Sequence, residues 1–328
     1  MSTHTRRPLA VLATAIAVVG AFVSVRAYAA EGHFERTLSV TGPVDLDVRT
    51  GSGDIAVRRG KAGSLLVKAR IKTDGHLDEE SAQKQVRAIE ANPPIKQDGD
   101  VIKIGEFEDS SLARNVSISY EITTPADTHL RSSTGSGDQT LEGLKRQVTA
   151  SSGSGDLKVS NIGDQVRVST GSGHISVDRA RSGVHASTGS GDILIAQAVG
   201  NLRASTGSGD VTVQQSGPGD VQVNSASGRV QINGVDGSLR VQTASGNVSV
   251  QGKGSGSWKL ESASGNMDIH LAPEQGFFLR AHTVSGGIHT GREMTVQGSM
   301  GEHNIEGKVG DGALPLEVRT VSGNIQVD

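Results

Sequence analysis

Eleven copies of one short motif constrain the fold of this 328-residue chain. Each copy reads hydroxyl residue, small residue, Ser, Gly, turn residue and, usually, aliphatic residue, from Thr50 to the copy that begins at Thr320. Five consecutive copies place their second glycine at a strict interval of 18 residues, at Gly137, Gly155, Gly173, Gly191 and Gly209. A fixed period of this length indicates one structural unit that repeats and stacks on itself. We therefore expect one elongated body rather than two ordinary globular domains.

Aliphatic and polar residues alternate within each 18-residue unit. In residues 156–173 the regularly placed residues are Leu157, Val159, Ile162, Val166, Val168 and Thr170. Period-two alternation is typical of strands that bury one face. Two short strands per unit, joined by turns, predict an all-β fold, namely a parallel β-helix or solenoid whose rungs lie about 4.8 Å apart.

The turn between the two strands has a constant pattern. Glycine holds the fourth motif position in every copy, from Gly53 onward, which indicates a positive φ angle or a backbone too close to its neighbour for a Cβ atom. The serine before it is equally constant, at Ser136, Ser154, Ser172, Ser190 and Ser208 among others. A nucleophile is needed once, so a serine repeated eleven times is interpreted as structural, its hydroxyl bonding local backbone. The first motif residue, such as Thr188, is expected to point inward and bond the turn.

The residue after this glycine leaves an alternative open. It is aspartate at Asp138, Asp156, Asp192 and Asp210. Gly-x-Gly-x-Asp is similar to the nonapeptide calcium rolls, but those repeat every nine residues with turns from both sides. This chain has a period of 18 and one such residue per rung. We therefore predict that the aspartates form turns by bonding backbone amides, with calcium ligation as the weaker alternative.

The first 29 residues are predicted to be a signal peptide. Arg6 and Arg7 precede an apolar run from Leu9 to Val25, and the sequence at 27–29 fits a small-x-small cleavage site. An uncleaved membrane anchor is the alternative, because the run approaches the length of a membrane span. Export to the periplasm, the cell envelope or the extracellular space follows from either interpretation.

Residues 30–130 interrupt the period and are predicted to cap the first rung. Asp78 to Ala91 has acidic residues in its first turn and a following Asn-Pro-Pro, which predicts a helix. Residues 95–104 are expected to form a hairpin around Asp98-Gly99, and residues 116–122 a further strand. Residues 131–328 are then the solenoid repeats.

The C-terminal end is predicted to differ from the N-terminal end. No comparable cap follows the last motif copy. The predicted interaction edge is therefore formed by Leu316, Val318, Ile325 and Val327. An uncovered edge binds another chain, or a second copy of the same chain, by strand addition. The alternative is that residues 287–315 fold over this edge and hide it.

Composition excludes several function classes. The chain has no cysteine, which excludes disulfides, thiolate metal sites and a cysteine nucleophile. No nucleophile-elbow, dinucleotide or phosphate-loop motif is present, so neither a cofactor nor a catalytic residue is predicted. Removal of residues 1–29 changes the net charge from −3 to −6, which disfavours nucleic acid and anionic lipid as partners. Contact with a membrane is expected only through an uncleaved N-terminal segment.

Aromatic residues are too few for the platforms on which sugars stack. Only six follow residue 29, whereas β-helical enzymes that act on polysaccharides need clustered bases and usually such platforms. Trp258 is expected in the core, in line with Val223 and Val241. The chain is therefore predicted to be no enzyme, although a β-helix that acts on cell-wall polysaccharide stays as an alternative.

Together these features resemble a bacterial adhesin-like family of β-strand-repeat domains of unknown function. The resemblance rests on the turns at Gly51–Ile55 and Gly189–Ile193, on the helix and hairpin described above, and on the strand-then-proline stretch of residues 120–130. It implies a right-handed parallel β-helix on exported proteins, with no catalytic residues to transfer. The expected function is an exported, non-enzymatic envelope or surface scaffold that binds a protein or an envelope polymer. A solenoid that polymerises end to end is a further alternative.

Overall fold

The computed structural model describes residues 29–74 and 77–328, without the side chains of residues 298–300. The predicted signal peptide lies outside the described residues, apart from Ala29. The regular secondary structure of the described chain is nearly all strand, with one α-helix and one short 3-10 helix. None of its helices is long and apolar enough to cross a membrane.

The strands are numbered in chain order. The N-terminal third contains β1 (Glu31–Ser39), β2 (Val44–Ser52), β3 (Ile55–Arg59), β4 (Ser64–Thr73), helix α1 (Glu79–Ala91), β5 (Ile95–Asp98), β6 (Val101–Ile104), the 3-10 helix (Ser110–Ala113) and β7 (Val116–Thr124). The middle contains β8 (Thr128–Ser136), β9 (Gln139–Glu142), β10 (Val148–Ser154), β11 (Leu157–Ile162), β12 (Val166–Ser172), β13 (Ile175–Ala180), β14 (Val184–Ser190), β15 (Ile193–Ala198), β16 (Leu202–Ser208) and β17 (Val211–Gln215). The C-terminal third contains β18 (Val221–Ser227), β19 (Val230–Val235), β20 (Leu239–Ser245), β21 (Val248–Gly252), β22 (Trp258–Ser264), β23 (Met267–Leu271), β24 (Phe277–Ser285), β25 (Ile288–Thr290), β26 (Thr295–Gly301), β27 (Asn304–Val309), β28 (Leu314–Ser322) and β29 (Ile325–Val327).

Two long sheets face each other, and each rung of the solenoid contributes one strand to each sheet. We call the 14-stranded sheet that contains β3 sheet A and the 15-stranded sheet that contains β2 sheet B. In spatial order, rungs 1 to 11 are β2–β3, β8–β9, β10–β11, β12–β13, β14–β15, β16–β17, β18–β19, β20–β21, β22–β23, β28–β29 and β24–β25. Each motif copy forms the turn of one rung, from its sheet B strand to its sheet A strand.

The pairing register confirms the 18-residue parallel solenoid. In sheet B, Val148 pairs with Val166 and Val166 with Val184, and in sheet A Leu157 pairs with Ile175. The inward side chains of both sheets are buried in one continuous core. Trp258 is in this core at 1% exposure, but it pairs with Leu239 rather than following Val241 and Val223. The predicted column was wrong: Val241 pairs with Leu260 after a step of 19 residues, so Trp258 occupies the preceding inward position of its strand.

The N-terminal end of the solenoid is closed mainly by the chain segment between β3, in rung 1, and β8, in rung 2. Strands β6 and β7 pair in parallel with β2 and β3, and β5, β4 and β1 add antiparallel strands outside them. Helix α1 begins after Asp78, whose carboxylate accepts a hydrogen bond from the Ser81 N–H at 2.9 Å. The helix buries Ala82, Val86 and Ile89 and packs against β1 and β4. Burying this apolar stripe covers the core at the first rung.

The C-terminal end corrects the prediction of an open edge. Leu316 and Val318 lie in β28, between β22 and β24, and Ile325 and Val327 lie in β29, between β23 and β25. All four side chains are at most 1% exposed. The last two rungs are stacked in the reverse of their order in the chain. Residues 277–313 include the strands of the outermost rung, and the final strands, β28 and β29, insert between that rung and rung 9. Strands β27 and β26 cover the outer edge of β24 by antiparallel pairing.

Candidate functional site

The motif glycines combine both features that make glycine necessary. The φ angle of Gly155 is 157°, and a Cβ atom there would lie 2.1 Å from the Gly137 carbonyl oxygen of the preceding rung. Gly53, Gly137, Gly173, Gly191 and Gly209 also have positive φ angles and equally close backbone neighbours. This column of glycines is therefore part of the stacking geometry of the rungs.

The motif serines contribute backbone rather than hydroxyl groups. The Gly137 N–H donates to the Ser154 carbonyl at 3.1 Å, and the same bond recurs along the stack. Within the part of the chain that the structure describes, no hydrogen bond is made by the exposed hydroxyls of Ser136, Ser154, Ser172, Ser190 and Ser208. The prediction that these hydroxyls bond local backbone is wrong, because the last residue of each sheet B strand points to solvent.

The hydroxyl residue that opens each motif copy points inward, as expected. Thr170 is 6% exposed and donates to the Gly155 carbonyl at 3.0 Å, and Thr188 is 4% exposed and donates to the Gly173 carbonyl at 3.1 Å. Each bond ties one rung to the turn of the rung before it. These side chains therefore support the turns and are not available to a ligand.

The residue after the motif glycine forms a side-chain ladder. The carboxylate of Asp138 accepts from the Asp156 N–H at 2.8 Å, and the carboxylate of Asp156 accepts from the His174 N–H at 2.8 Å. The imidazole Nδ1 of His174 accepts from the Asp192 N–H at 3.1 Å, and the Asp192 carboxylate from the Asp210 N–H at 2.8 Å. One oxygen of each aspartate is thus engaged by backbone. Among the described residues, no three His, Asp or Glu side chains are placed to hold a metal ion.

The outward face of sheet B changes character along the stack. The second motif position carries glycine in rungs 1 to 6, alanine in rungs 7 to 9, and valine in rungs 10 and 11. A Cβ atom at Gly153 would lie 2.4 Å from the Gly135 carbonyl oxygen, so the glycine rungs present bare backbone. The later rungs present Ala226, Ala244 and Ala263. At this position the outward face of sheet B therefore presents backbone in rungs 1 to 6 and apolar side chains in rungs 7 to 11.

The apolar half of this face forms a shallow groove of about 820 Å³ across rungs 6 to 11. We call this feature the groove. Its floor ends in Val321 and Val284, whose exposed fractions are 54% and 61%, among the largest for apolar residues in the described chain. Exposed apolar residues grouped in a groove and bordered by polar residues make this the candidate interaction site of the sheet B face.

Glu261 and Arg319, the carboxylate and the guanidinium that line the groove, each form an ion pair. Glu261 binds Lys259 at 2.8 Å and accepts from the Gln242 amide at 3.0 Å, which lowers the pKa of the Glu261 carboxyl. Arg319 binds Glu317 at 2.8 Å. The groove therefore offers apolar area with little free charge.

A second feature lies on the turns that lead from sheet A back to sheet B. We call this space of about 1060 Å³ the basic cleft; it crosses rungs 1 to 5. Its lining includes the cations Arg58, Arg59, Lys145, Arg179 and Arg181, and Glu142 is its one acidic residue. The basic cleft therefore concentrates positive charge on a chain whose net charge is −3.

The cleft is shaped by an irregular backbone at one position in each of rungs 3 to 5. Asn161, Arg179 and Gln197 follow one another at 18-residue steps with φ angles of 57°, 56° and 51°. This left-handed conformation is tolerated by asparagine and disfavoured for arginine and glutamine. It turns two consecutive residues outward in each rung, as at Asp178 and Arg179. In the sequence this irregularity is visible as a three-residue step between the inward residues Val159 and Ile162. The step alone does not predict a cleft.

A model of the family described as Toastrack DUF4097 matches residues 162–328. No curated protein matches the chain. Similar solved structures include a candidate adhesin from Bacteroides fragilis NCTC 9343, at 11% identity and a TM-score of 0.31, which covers 90% of this chain and 97% of that chain. A candidate lipid binding protein from Parabacteroides distasonis ATCC 8503 has 12% identity and a TM-score of 0.40, with the same two coverages.

A third similar structure is a candidate cell adhesion protein from Clostridium sporogenes ATCC 15579. It has 14% identity and a TM-score of 0.18, and it covers 90% of this chain and 99% of that chain. Because these identities and TM-scores are low, the names of the three proteins describe those proteins and do not establish what this chain binds.

Proposed function

The chain belongs to the Toastrack DUF4097 family, and we propose that it is an exported, non-enzymatic scaffold that binds a cell-envelope partner through the groove. In this proposal residues 1–29 direct export, residues 30–130 cap the stack, and residues 131–328 carry the binding surface.

The observation that carries the proposal is the exposed apolar floor of the groove. The rest of the outward sheet B face carries glycine at the same position, whereas rungs 7 to 11 carry Ala226, Ala244, Ala263, Val321 and Val284. Exposed valine contributes nothing to the core of the solenoid, and burying it against a partner is favourable by about 25 cal/mol per Å² of apolar area. A binding role accounts for these side chains, and a purely structural role does not.

The shape and charge of the groove favour an extended apolar segment of an envelope protein. The groove crosses five rung steps of about 4.8 Å each, so it accommodates a strand-like segment of roughly 24 Å. Because Lys259, Glu261, Glu317 and Arg319 already form ion pairs with one another, a strongly charged ligand would gain little there. Alternating apolar side chains of the partner would meet the alanine and valine column.

Sedimentation with purified envelope fractions tests this function. The double variant Val284→Ser/Val321→Ser removes the exposed apolar groups, and we expect its bound fraction to fall by about tenfold, because two buried valines contribute roughly 1.5 kcal/mol or more. Leu194→Ser is the matched control, since Leu194 is 42% exposed on sheet A, away from the groove. Equal binding by the wild type and the double variant would contradict the proposal.

A further inference from the structure

Four of the five cations that line the basic cleft form no ion pair with a described residue. Arg179 binds Asp178 at 2.7 Å, and Arg146, just outside the cleft, binds Asp127. In contrast, Arg58, Arg59, Lys145 and Arg181 form no ion pair with any residue that the structure describes. Like charges gathered on one concave surface repel each other and raise the local concentration of anions.

The middle rungs of the cleft contribute small and polar lining residues. Gly143 and Gly163 line it in rungs 2 and 3. A Cβ atom at Gly163 would lie 2.8 Å from the Lys145 carbonyl oxygen, so this glycine keeps the two rungs closely stacked. The central rung 3 contributes Asn161, whose amide oxygen accepts from the Arg179 Nε at 2.7 Å and holds that guanidinium beside the cleft.

The spacing of the unpaired cations favours an extended anion over a small one. Arg58 and Arg59 belong to rung 1, Lys145 follows rung 2, and Arg181 follows rung 4. Three rung steps of about 4.8 Å separate the first pair from Arg181 by roughly 14 Å. A single phosphate cannot contact both ends, whereas a linear chain with repeated anionic groups contacts all four cations.

We propose that the basic cleft binds a linear polyanion that carries phosphate groups along its length, such as a phosphodiester polymer of the envelope. This site is separate from the groove, because it lies on the turns of rungs 1 to 5 rather than on the sheet B face of rungs 6 to 11. The chain then holds two partners, one through apolar area and one through charge.

Binding of fluorescently labelled long-chain inorganic polyphosphate to the full chain tests the proposal. The variant Arg58→Gln/Arg59→Gln/Arg181→Gln removes three cleft cations. Arg131→Gln/Arg167→Gln/Arg203→Gln is its matched control, because it removes three exposed, unpaired arginines from the outward face of sheet B. Both variants change the net charge equally.

We expect the cleft variant to bind polyphosphate about 30-fold more weakly or worse near 0.15 M salt, because it loses three charge-assisted contacts. The control should lose less than threefold. The slope of log affinity against log salt should fall by about 2 in the cleft variant, at roughly 0.7 per phosphate contact.

Three results would overturn the proposal. Equal losses in the two variants would mean general attraction to positive charge. Inorganic phosphate that displaces the polymer at the same phosphate concentration would mean a site for one anion. Vesicles of anionic phospholipid that bind as tightly as the polymer, with the same dependence on the cleft arginines, would assign the cleft to a lipid surface. Unchanged melting temperatures in both variants confirm that the fold is intact.

Discussion

The two halves of the solenoid are built from the same kind of rung and differ in most of the side chains that they expose to solvent. Rungs 1 to 6 carry a glycine column on the sheet B face, aspartates in most turns and the basic cleft. Rungs 7 to 11 carry an alanine and valine column, asparagines in three turns and the groove. The inward residues of both halves are mainly buried aliphatic and hydroxyl types, to which the second half adds Trp258 and Phe277.

This difference separates two kinds of constraint. Stacking at rung spacing fixes the inward side chains and the motif glycine, because each contacts its equivalent in the next rung. The outward side chains lie outside the core, so they are free to vary in size and charge. The two proposed binding surfaces are the places where the outward columns depart from their own pattern.

The largest expected effect concerns the glycine column itself. Gly153→Ala should destabilise the fold by about 2 kcal/mol or more, because its Cβ atom would meet the Gly135 carbonyl oxygen at 2.4 Å. The reverse change in the other half, Ala244→Gly, should cost only about 0.5–1 kcal/mol from backbone entropy. Urea denaturation of both variants checks the prediction. Losses of the same size would mean that the two halves have equivalent backbones at this position.

A smaller effect is expected in the side-chain ladder of the turns. Asp156→Ala leaves the His174 N–H without its acceptor and should cost about 1 kcal/mol. Arg229 interrupts the ladder, because a guanidinium cannot accept a hydrogen bond from the backbone of the next rung, whereas one rung later the Asn247 Oδ1 accepts from the Asn266 N–H. Arg229→Asn should therefore raise the free energy of unfolding by several tenths of a kcal/mol. A stability loss in Arg229→Asn would show that the ladder is not what these residues supply.

Most of the fold could be predicted from the sequence, because each rung repeats the same alternation of inward aliphatic and outward polar residues. The alternation around Leu157 and Val159 predicted the buried faces, and helix α1 begins one residue after the predicted start at Asp78. The order of the last two rungs could not be predicted in this way. Their inward residues are interchangeable aliphatics, so parallel pairing is satisfied in either order.

The candidate surfaces were less accessible to prediction than the fold. The change from glycine to alanine and valine is visible in the sequence, but its exposure depends on which face of sheet B points outward. The basic cleft joins residues as distant in sequence as Arg58 and Arg181. Only the stacking of β3 near β13, through rungs 2 and 3, brings them to one side of the molecule.

The smallest effect concerns pH in the first half. Burial, together with Arg203 and Arg167 in the neighbouring strands, lowers the pKa of His185 from its ordinary value. A lowered folded pKa gives stability that is complete above the ordinary histidine pKa of about 6.5 and is lost as the pH falls below it. His185→Gln should therefore lose less stability than the wild type between about pH 7 and pH 5. Identical pH profiles would contradict this account, and Arg203→Gln should fall between the two.

Photo-crosslinking in cells that export the protein tests the central claim, that the groove is the partner surface. A benzophenone amino acid is placed at Val321, in the groove, or at Leu194, on the outward face of sheet A. Both positions are about half exposed, so both tolerate the probe. We predict a discrete adduct with an envelope protein at position 321 that is lost when Val284→Ser is added, and none at position 194. Adducts of equal yield at the two positions, or at position 194 alone, would contradict the assignment of the groove.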